Sequence, residues 1–316
     1  EAGNGEFNIG FNPATKRIMT MNSGPIWRLT PPEVLVPAKP ECCNAFWEDK
    51  SSTATNTGLD PILCTDQKSG RTFASNSTVG ANAVYAYTDN DGDLYVPVGV
   101  AGPNGGADHQ TIGSGPYPLV NGLPNPLITP ANQGEAVYYC SQDIVGPASC
   151  YRSDTLGASY GNPTLAYNGR GAVVPGGTCG GLHGHLHVAP DGTAWLPVKS
   201  CSGLQGGVFS TDMGTTWITF QVPGAISQQQ GADPSIAIDA DSTIYYSYVN
   251  NEPVTVGNPP EGHERVQVGH RNPDNTITWT NNFDLGATHG IVNAAHIEAV
   301  GGTSGRAAVG FFATDR

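Results

Sequence analysis

The chain has 316 residues, a formal net charge of −13 at pH 7 and 13% charged residues, against about 25% in ordinary globular domains. The acidic balance argues against nucleic acid as a partner, because phosphate binding requires a basic face. No apolar run is long enough to span a membrane, and 42 glycines with 25 prolines favour a domain of short strands and many turns.

Taken in chain order, the N-terminal half predicts three groups of short β-strands. The first group is expected at about 6–50 and the second at about 58–98, each with apolar segments separated by polar turns. The third group is expected at about 108–168. It carries an insertion at 115–134 that contains five prolines, and a long loop of this kind is often functional or crosses between structural units.

The C-terminal half predicts two more groups and part of another. They are expected at about 181–222, at 232–285 and, incompletely, at 290–316. Each whole group has the order strand, turn, strand, strand, turn, strand, which predicts a four-stranded antiparallel sheet. No composition shift marks a boundary, so residues 1–316 are predicted to form one domain.

One turn sequence recurs through these groups. Its best copy is Ser210–Trp217, of the form S-x-D-x-G-x-T-W, between two strand-forming segments. An Asp and a Gly at such positions are typical of a hairpin turn, and the Trp is expected to pack into a sheet core. Related copies begin at residues 88, 153 and 272, and the last of them keeps Asp274 and Trp279. Four copies indicate a repeat architecture.

The copies resemble the Asp-box (BNR) repeat of sialidase-like β-propellers, and the resemblance covers nearly the whole chain. It implies an all-β β-propeller of four-stranded antiparallel blades, with six blades of which the sixth is incomplete in this chain. In that family the boxes are hairpins on the blade rim, far from the substrate, so they identify a fold and not an activity. The residues expected to be structural for this reason are Ser210, Asp212, Gly214, Trp217, Asp274 and Trp279.

The cysteine spacing predicts disulfides. Cys140 and Cys150 flank a short loop, and Cys179 and Cys201 flank an expected hairpin, whereas no C-x-x-C pair suggests a zinc site. We expect Cys64 to pair with either of two adjacent cysteines, Cys42 or Cys43. Disulfides and a chain that begins at Glu1 without Met predict a processed protein that is secreted, extracellular or on the cell surface.

Acidic residues and histidines recur where the innermost strand of each predicted blade begins. In propellers these strands line a central channel and their entry loops form the site. The candidate catalytic residues are Asp60, Asp108 and Asp233, and the candidate binding residues are His109, His183, His185 and His296. The alternative interpretation is that these side chains only start strands and cap loops.

His183, His185 and His187 alternate with other residues, so on a strand all three imidazoles would share one face. His183 and His185 could hold a divalent metal if a third ligand came from an adjacent blade. Polar lining of the channel by hydrogen-bonded histidines is the competing interpretation. No other cofactor is expected.

Asp89, Asp91 and Asp93 look like part of a calcium loop. The glycine stands at position 92, which does not fit the EF-hand frame. The repeat therefore explains this segment better, as a turn at the blade rim.

Sialidases of the family use three arginines on the substrate carboxylate, the first in an F/Y-R-I-P sequence on blade one. This chain has Ile26-Trp27-Arg28-Leu29, on a different strand of that blade. The other candidate arginines mostly fall at turns or strand edges: Arg71, Arg152, Arg265 and Arg306. True sialidase activity is therefore not expected.

The predicted function is a secreted, sialidase-like propeller that acts on or binds extracellular glycans through an axial pocket. One alternative is a non-catalytic module for cell-surface or extracellular assembly or adhesion. Another is a glycosidase for a different sugar that uses two carboxylates such as Asp60 and Asp233. A partner chain or a continuation of this chain is expected to complete the last blade, since an unpaired strand edge is sticky.

Overall fold

The computed structural model describes residues 7–22, 24–34, 45–55, 59–78, 82–98, 107–143, 147–169, 179–226, 233–252 and 261–315. The described residues form β-strands and two short 3₁₀ helices, Pro32–Val34 and Ala287–His289. None of these helices is long or apolar enough to cross a membrane. The chain divides into two compact units, one containing residues 1–117, 125–144 and 150–163, and the other residues 118–124, 145–149 and 164–316.

Three four-stranded antiparallel sheets begin in the first unit, and each strand pairs with the next one along the chain. We call each sheet a blade. The strands of blades one to three are β1 Phe7–Asn12, β2 Arg17–Asn22, β3 Ile26–Thr30 and β4 Phe46–Asp49; β5 Leu59–Thr65, β6 Thr72–Thr78, β7 Asn82–Thr88 and β8 Val96–Pro97; and β9 Ala107–Pro116, β10 Glu135–Asp143, β11 Pro147–Ser153 and β12 Thr164–Asn168.

Two more blades lie in the second unit. In blade four the innermost strand is interrupted. Its two short segments follow one another along the chain, and both pair with the same neighbouring strand. The strands of blades four and five are β13 Cys179–His183, β14 His187–Val188, β15 Ala194–Cys201, β16 Leu204–Ser210 and β17 Ile218–Ile226; and β18 Ser235–Ile238, β19 Ile244–Glu252, β20 Glu261–Arg271 and β21 Ile277–Asp284, followed by β22 Asn293–Gly301 and β23 Ala307–Thr314.

The prediction of six blades is wrong, because the described residues form five. The β22–β23 hairpin joins blade five through a parallel bridge between Gly262 and Asn293. At the other end of the hairpin, Ala240 N–H donates to the Gly302 carbonyl at 3.0 Å, and Gly305 N–H donates to the Asp239 carboxylate at 2.8 Å. These bonds fix the last two strands on blade five, so they do not form a separate sheet.

Each unit has its own apolar core. In the first unit, aromatic and aliphatic side chains of blades two and three form one cluster: Ile62, Phe73, Ala83, Tyr85, Ile112, Val137, Tyr139 and Leu156. In the second unit, the corresponding cluster joins blades four and five: Ala189, Trp195, Phe209, Phe220, Val222, Ala225, Ile236, Ile244, Tyr246 and Tyr248. Burial of large rings between sheets dominates the stability of both clusters.

The predicted turn at Ser210–Trp217 closes through its first side chain. Ser210 Oγ accepts the N–H of Gly214 at 2.8 Å and donates to Asp212 Oδ1 at 2.8 Å. Asp212 in turn accepts the Thr216 N–H at 2.8 Å. Gly214 has φ 75°, a left-handed conformation that favours glycine. Trp217 is 8% exposed, as its predicted role in the sheet core requires.

Three of the four turn copies share this closure. Thr88 Oγ1 accepts the Gly92 N–H at 3.0 Å, and Ser153 Oγ accepts the Gly157 N–H at 2.8 Å. The fourth copy differs, because Asn272 N–H donates to the Thr276 carbonyl and no glycine follows at the fifth position. The hydroxyl at the first position is therefore the feature that defines the repeated turn.

The two disulfides predicted from spacing are confirmed. Cys140–Cys150 joins β10 to β11, and Cys179–Cys201 joins β13 to β15. Cys64 forms no disulfide within the described part of the chain, and its predicted partners at positions 42 and 43 lie outside that part. Each closed loop is expected to stabilise the fold by about 2–4 kcal/mol, as such cross-links generally do.

The turn geometry predicts the effect of Ser210→Ala. Ser210 is fully buried, and the change leaves the Gly214 N–H without its acceptor. The free energy of unfolding should fall by about 1–3 kcal/mol, measured by urea denaturation. Asp274→Ala, which changes an exposed residue of the fourth turn, is the matched control and should have a smaller effect. Equal losses in both variants would contradict the structural role assigned to the Ser210 hydroxyl.

Candidate functional site

Three of the candidate residues lie where the strand pairing is irregular. Asp60, His109 and His296 have positive φ values of 52°, 60° and 53°, and Gly181 takes the same conformation with φ 83°. At each of them the strand pairing shifts register. Such bulges redirect a side chain, and a left-handed conformation at Asp or His costs energy, so it is often found at functional positions.

In the first unit, Gln110 organises the surroundings of the bulges. Its Nε2 donates to the Asp60 carbonyl at 3.0 Å, and its Oε1 accepts from Ser75 Oγ at 3.2 Å and from the Tyr139 hydroxyl. His109 beside it is 5% exposed. The side chain of Asp108 lies outside the described residues. The polar groups of this region therefore hold the bulge backbone, and catalytic roles for Asp60 and Asp108 stay predictions.

In the second unit, the three histidines do not share one strand face as predicted. The strand is interrupted between β13 and β14, where Gly184 N–H donates to the Pro197 carbonyl at 2.9 Å. A β-carbon at Gly184 would collide with the Pro234 carbonyl oxygen, so only glycine fits there. His183 is fully buried, and its Nδ1 lies 3.0 Å from the Gly184 carbonyl oxygen.

His185 and His187 instead meet a glutamate from β22. His185 Nδ1 lies 3.1 Å from Glu298 Oε2, and His187 Nε2 lies 4.0 Å from Glu298 Oε1. Ser235 Oγ, which accepts the Ala299 N–H at 3.0 Å, lies 3.4 Å from Glu298 Oε1. We call His185, His187, Ser235 and Glu298 the imidazole–carboxylate cluster.

The cluster is partly open to solvent. The side chains of His185, His187 and Glu298 are 26%, 32% and 44% exposed. Burial alone would raise the pKa of Glu298, but His185 and then His187 outweigh it and lower that pKa, so the carboxylate is ionised at neutral pH. Burial lowers the pKa of His187, and the Glu298 carboxylate opposes that shift. The cluster thus presents an ionised acceptor beside nitrogen donors.

Sequence reasoning missed Glu298, His187 as its partner, and Ser235. The position of Glu298 within its strand could have indicated it. Glu298 follows the left-handed residue His296 by two positions, as His183 follows Gly181. His296 itself is exposed, with its ring edge-on to Phe312 at 6.0 Å.

Asp233, another candidate catalytic residue, precedes β18 in the same unit. Burial raises the pKa of Tyr167, and the Asp233 carboxylate adds to that rise.

A metal site is not assembled by the described residues. No three His, Cys, Asp or Glu side chains within the described ranges form a group suited to a metal ion. His183 is fully buried with its Nδ1 near the Gly184 carbonyl oxygen, whereas His185 Nδ1 approaches Glu298. A divalent metal at His183 and His185 stays a prediction for which the structure offers no ligand set.

The carboxylates of the predicted calcium-like segment are bound to basic side chains. Asp89 pairs with Arg71 at 2.6 Å, Asp91 with Arg17 at 3.3 Å, and Asp93 with Lys50 at 2.7 Å. These ion pairs fix the turn to neighbouring strands, which agrees with a structural turn.

Other arginines are also bound to acidic side chains, which bears on the prediction that the chain has no sialidase-type arginine clamp. Arg28 donates two hydrogen bonds to Glu48 at 2.8–2.9 Å and one to Asp93 at 3.0 Å. Arg152 pairs with Asp154 at 2.9 Å, and Arg265 pairs with Glu252. A guanidinium held in this way is already neutralised, so it is a poor ligand for a substrate carboxylate.

A second polar pair lies on the blade-five face that carries Ser235. Ser235 and Ser247 are directly opposite on β18 and β19, and Ser247 Oγ lies 2.6 Å from Glu264 Oε1. Glu264 is fully buried, and its Oε2 has no hydrogen-bond partner among the described residues. Burial raises the pKa of Glu264 to about 8, and the Asp284 carboxylate adds to the rise. Glu264 is therefore protonated at pH 7.

Comparison with known proteins shows the fold. No protein-family model and no curated protein matches the sequence. Among solved structures, AofleA from Arthrobotrys oligospora has a TM-score of 0.55 at 12% identity and covers 98% of this chain and 79% of its own. A single-residue mutant of the Aleuria aurantia lectin in complex with α-methyl-L-fucoside scores 0.53 at 11% identity over 98% and 88% of the two chains.

Two further structures agree. The leech intramolecular trans-sialidase complexed with 2,7-anhydro-Neu5Ac scores 0.53 at 12% identity and covers 97% of this chain but 64% of its own. The Dos1 propeller scores 0.50 at 7% identity over 92% and 61% of the two chains. The fold is an all-β β-propeller with four-stranded antiparallel blades, which confirms the predicted fold class.

Glu264 predicts a pH dependence of stability. Between the ordinary pKa near 4.5 and the native value of about 8, the folded protein keeps a proton that the unfolded chain has lost. The free energy of unfolding should therefore fall as pH rises through this window. Glu264→Gln should remove this part of the slope, seen as the difference between urea-denaturation curves of the two proteins from pH 4.5 to 8. Parallel curves for wild type and variant would refute a buried, protonated Glu264.

Proposed function

We propose that the protein is a secreted glycan-binding propeller whose imidazole–carboxylate cluster contacts the sugar. The observation that carries this proposal is the ionised, partly exposed Glu298 between His185 and His187. A sugar diol donates one hydroxyl hydrogen to a carboxylate and accepts another hydrogen bond from an imidazole N–H. Adjacent acceptor and donor groups are therefore complementary to neighbouring hydroxyls.

The charge of the cluster favours a neutral glycan. The protein carries a formal charge of −13, and the glutamate at the centre of the cluster is ionised. A sialic acid carboxylate would meet repulsion there, and the arginines that pair with acidic side chains offer no clamp. Two proteins of the same fold were solved with a fucoside and with a sialic acid derivative, so the fold accommodates sugars of both kinds.

Secretion and binding without hydrolysis complete the proposal. Two disulfides are typical of proteins that fold in an oxidising compartment. Retaining and inverting glycosidases need two carboxyl groups at a defined separation, and the cluster contains one. Binding by the cluster therefore has more support than catalysis by Asp60 and Asp233.

Glycan binding is tested with an array of neutral oligosaccharides, followed by calorimetry on the ligands that bind. His185→Ala and Glu298→Gln should each weaken binding about 10- to 100-fold, the usual cost of losing a charge-assisted hydrogen bond. His270→Ala, an exposed histidine on β20, is the matched control and should bind like wild type. Wild-type affinity in both cluster variants would reject this site, and release of free sugar from chromogenic glycosides would show an enzyme instead.

A second candidate function, extracellular assembly, is favoured by strand β23. In the described residues this strand pairs with β22 and is the last strand in the order of its sheet. Residues 307–314 contain no charged residue and no proline, and Phe312 is 74% exposed. Natural edge strands usually carry charges or proline that prevent pairing with another chain. We propose that two copies of the chain pair through this edge.

Sedimentation velocity over a range of protein concentrations tests the pairing. Wild type should associate as concentration rises, and Phe312→Lys should shift the protein to monomer because a charge then lies on the apolar edge. Phe283→Lys is the matched control, an exposed phenylalanine on β21, which is a more polar strand. A monomeric wild type, or association that Phe312→Lys leaves unchanged, would contradict assembly through β23.

A further inference from the structure

The segment 118–124 of the second unit forms a rigid apolar turn. Val120 and Leu123 exchange backbone hydrogen bonds of 2.9 and 3.0 Å around Asn121-Gly122. Asn121 and Gly122 both have positive φ values, 52° and 75°, which is the geometry of a type I′ hairpin turn. At its base, Pro118 packs against Gly192, where a β-carbon would collide with the proline backbone. The turn is therefore anchored to its own unit.

The side chains of this turn face solvent although they are aliphatic. Leu119 and Leu123 are each 67% exposed, and Val120 is 40% exposed. Val120 and Leu123 form a bridged pair and lie on one side of the turn, so Leu119 lies on the other. We call Leu119, Val120 and Leu123 the apolar wedge.

The segment around the wedge is free of charge. Residues 110–134 contain no Asp, Glu, Lys or Arg, in a chain whose formal charge is −13. Isolated exposed leucines are ordinary on protein surfaces, but three aliphatic side chains on one preformed turn within an uncharged segment are not.

We propose that the apolar wedge inserts shallowly into the surface of a neutral lipid bilayer. Because the wedge is apolar on both sides, a lipid layer that surrounds it would remove all three side chains from water. A flat protein surface would cover the side chains on one side only. The backbone groups of Val120 and Leu123 are already paired, which removes part of the cost of placing a turn in an apolar medium. The Asn121 amide can remain among the lipid head groups, because interfacial insertion reaches only about 5–10 Å.

Charge selects the kind of membrane. No lysine or arginine flanks the wedge within residues 110–134, so nothing in the segment attracts anionic head groups. The strongly negative protein would instead be repelled by them. Zwitterionic phosphatidylcholine is therefore the lipid that the wedge should prefer. Such contact would add to glycan binding and does not depend on the imidazole–carboxylate cluster.

Flotation with phosphatidylcholine vesicles at about 1 mM lipid tests the proposal, since weak single anchors partition measurably at such concentrations. Wild type should float with the vesicles. The double variant Leu119→Asn, Leu123→Asn should lose about tenfold or more of its partitioning, because two aliphatic side chains no longer leave water. Leu94→Asn, which changes a leucine that is 65% exposed on a blade-two turn, is the matched control and should float like wild type.

Two further arms separate the possible outcomes. His185→Ala should float like wild type, so a failed glycan-binding test leaves this proposal standing. Vesicles with added phosphatidylserine should bind less protein than pure phosphatidylcholine. A wild type that does not float, or a double variant that floats equally well, would overturn the proposal. Stronger binding to anionic vesicles would also overturn it.

Discussion

Aromatic packing between neighbouring blades is the interaction on which both units depend. In the second unit, Trp195 stacks on Phe209 within blade four with ring centroids 4.7 Å apart, and Phe220 of the same blade meets Tyr246 of blade five edge-on at 6.0 Å. A four-stranded sheet has two faces and cannot bury either by itself, so each blade needs a neighbour. The Tyr246 hydroxyl also donates to the Gly206 carbonyl of blade four at 2.6 Å, which fixes the register of the two sheets.

This packing leaves the strand ends as the places where polar side chains can act. At one end, hydroxyls such as that of Ser210 capture backbone N–H groups and close hairpins without needing a ligand. At the other end, the left-handed residues Asp60, His109 and His296 interrupt the sheet pairing. The first arrangement lowers the energy of the fold, and the second costs energy unless the surrounding contacts impose it. Chemistry is therefore more plausible at the bulges than at the turns.

The fold was predictable because its signals are local. The hydroxyl and the glycine of three of the turns act within five residues of each other, and the paired cysteines lie on adjacent strands. The turn at Asn272 was mistaken for the same geometry, since a matching Asp and Trp concealed the lack of a hydroxyl at the first position and a glycine at the fifth. The sixth blade was overcounted because pairing between β20 and β22 has no signature in the sequence.

The site was less predictable because tertiary contacts assemble it. The alternating histidines suggested one strand face, but the strand is interrupted at Gly184, so His183 and His187 lie on different strand segments. Glu298 reaches His185 only because the final hairpin packs on blade five. A pattern of residues along one strand cannot reveal a partner that arrives from another.

The distribution of basic residues decides what the site can recognise. Arg71 and Arg152 neutralise aspartates in the repeated turns, and Arg271 reaches Asp191 in another turn at 2.7 Å. Glu298 instead faces two imidazoles, His185 at 3.1 Å and His187 at 4.0 Å. Histidines generally change protonation close to neutral pH, so they offer hydrogen bonds more than fixed positive charge. Under the proposed function, recognition at this cluster would depend on the geometry of hydroxyl groups, and an acidic ligand would gain little there.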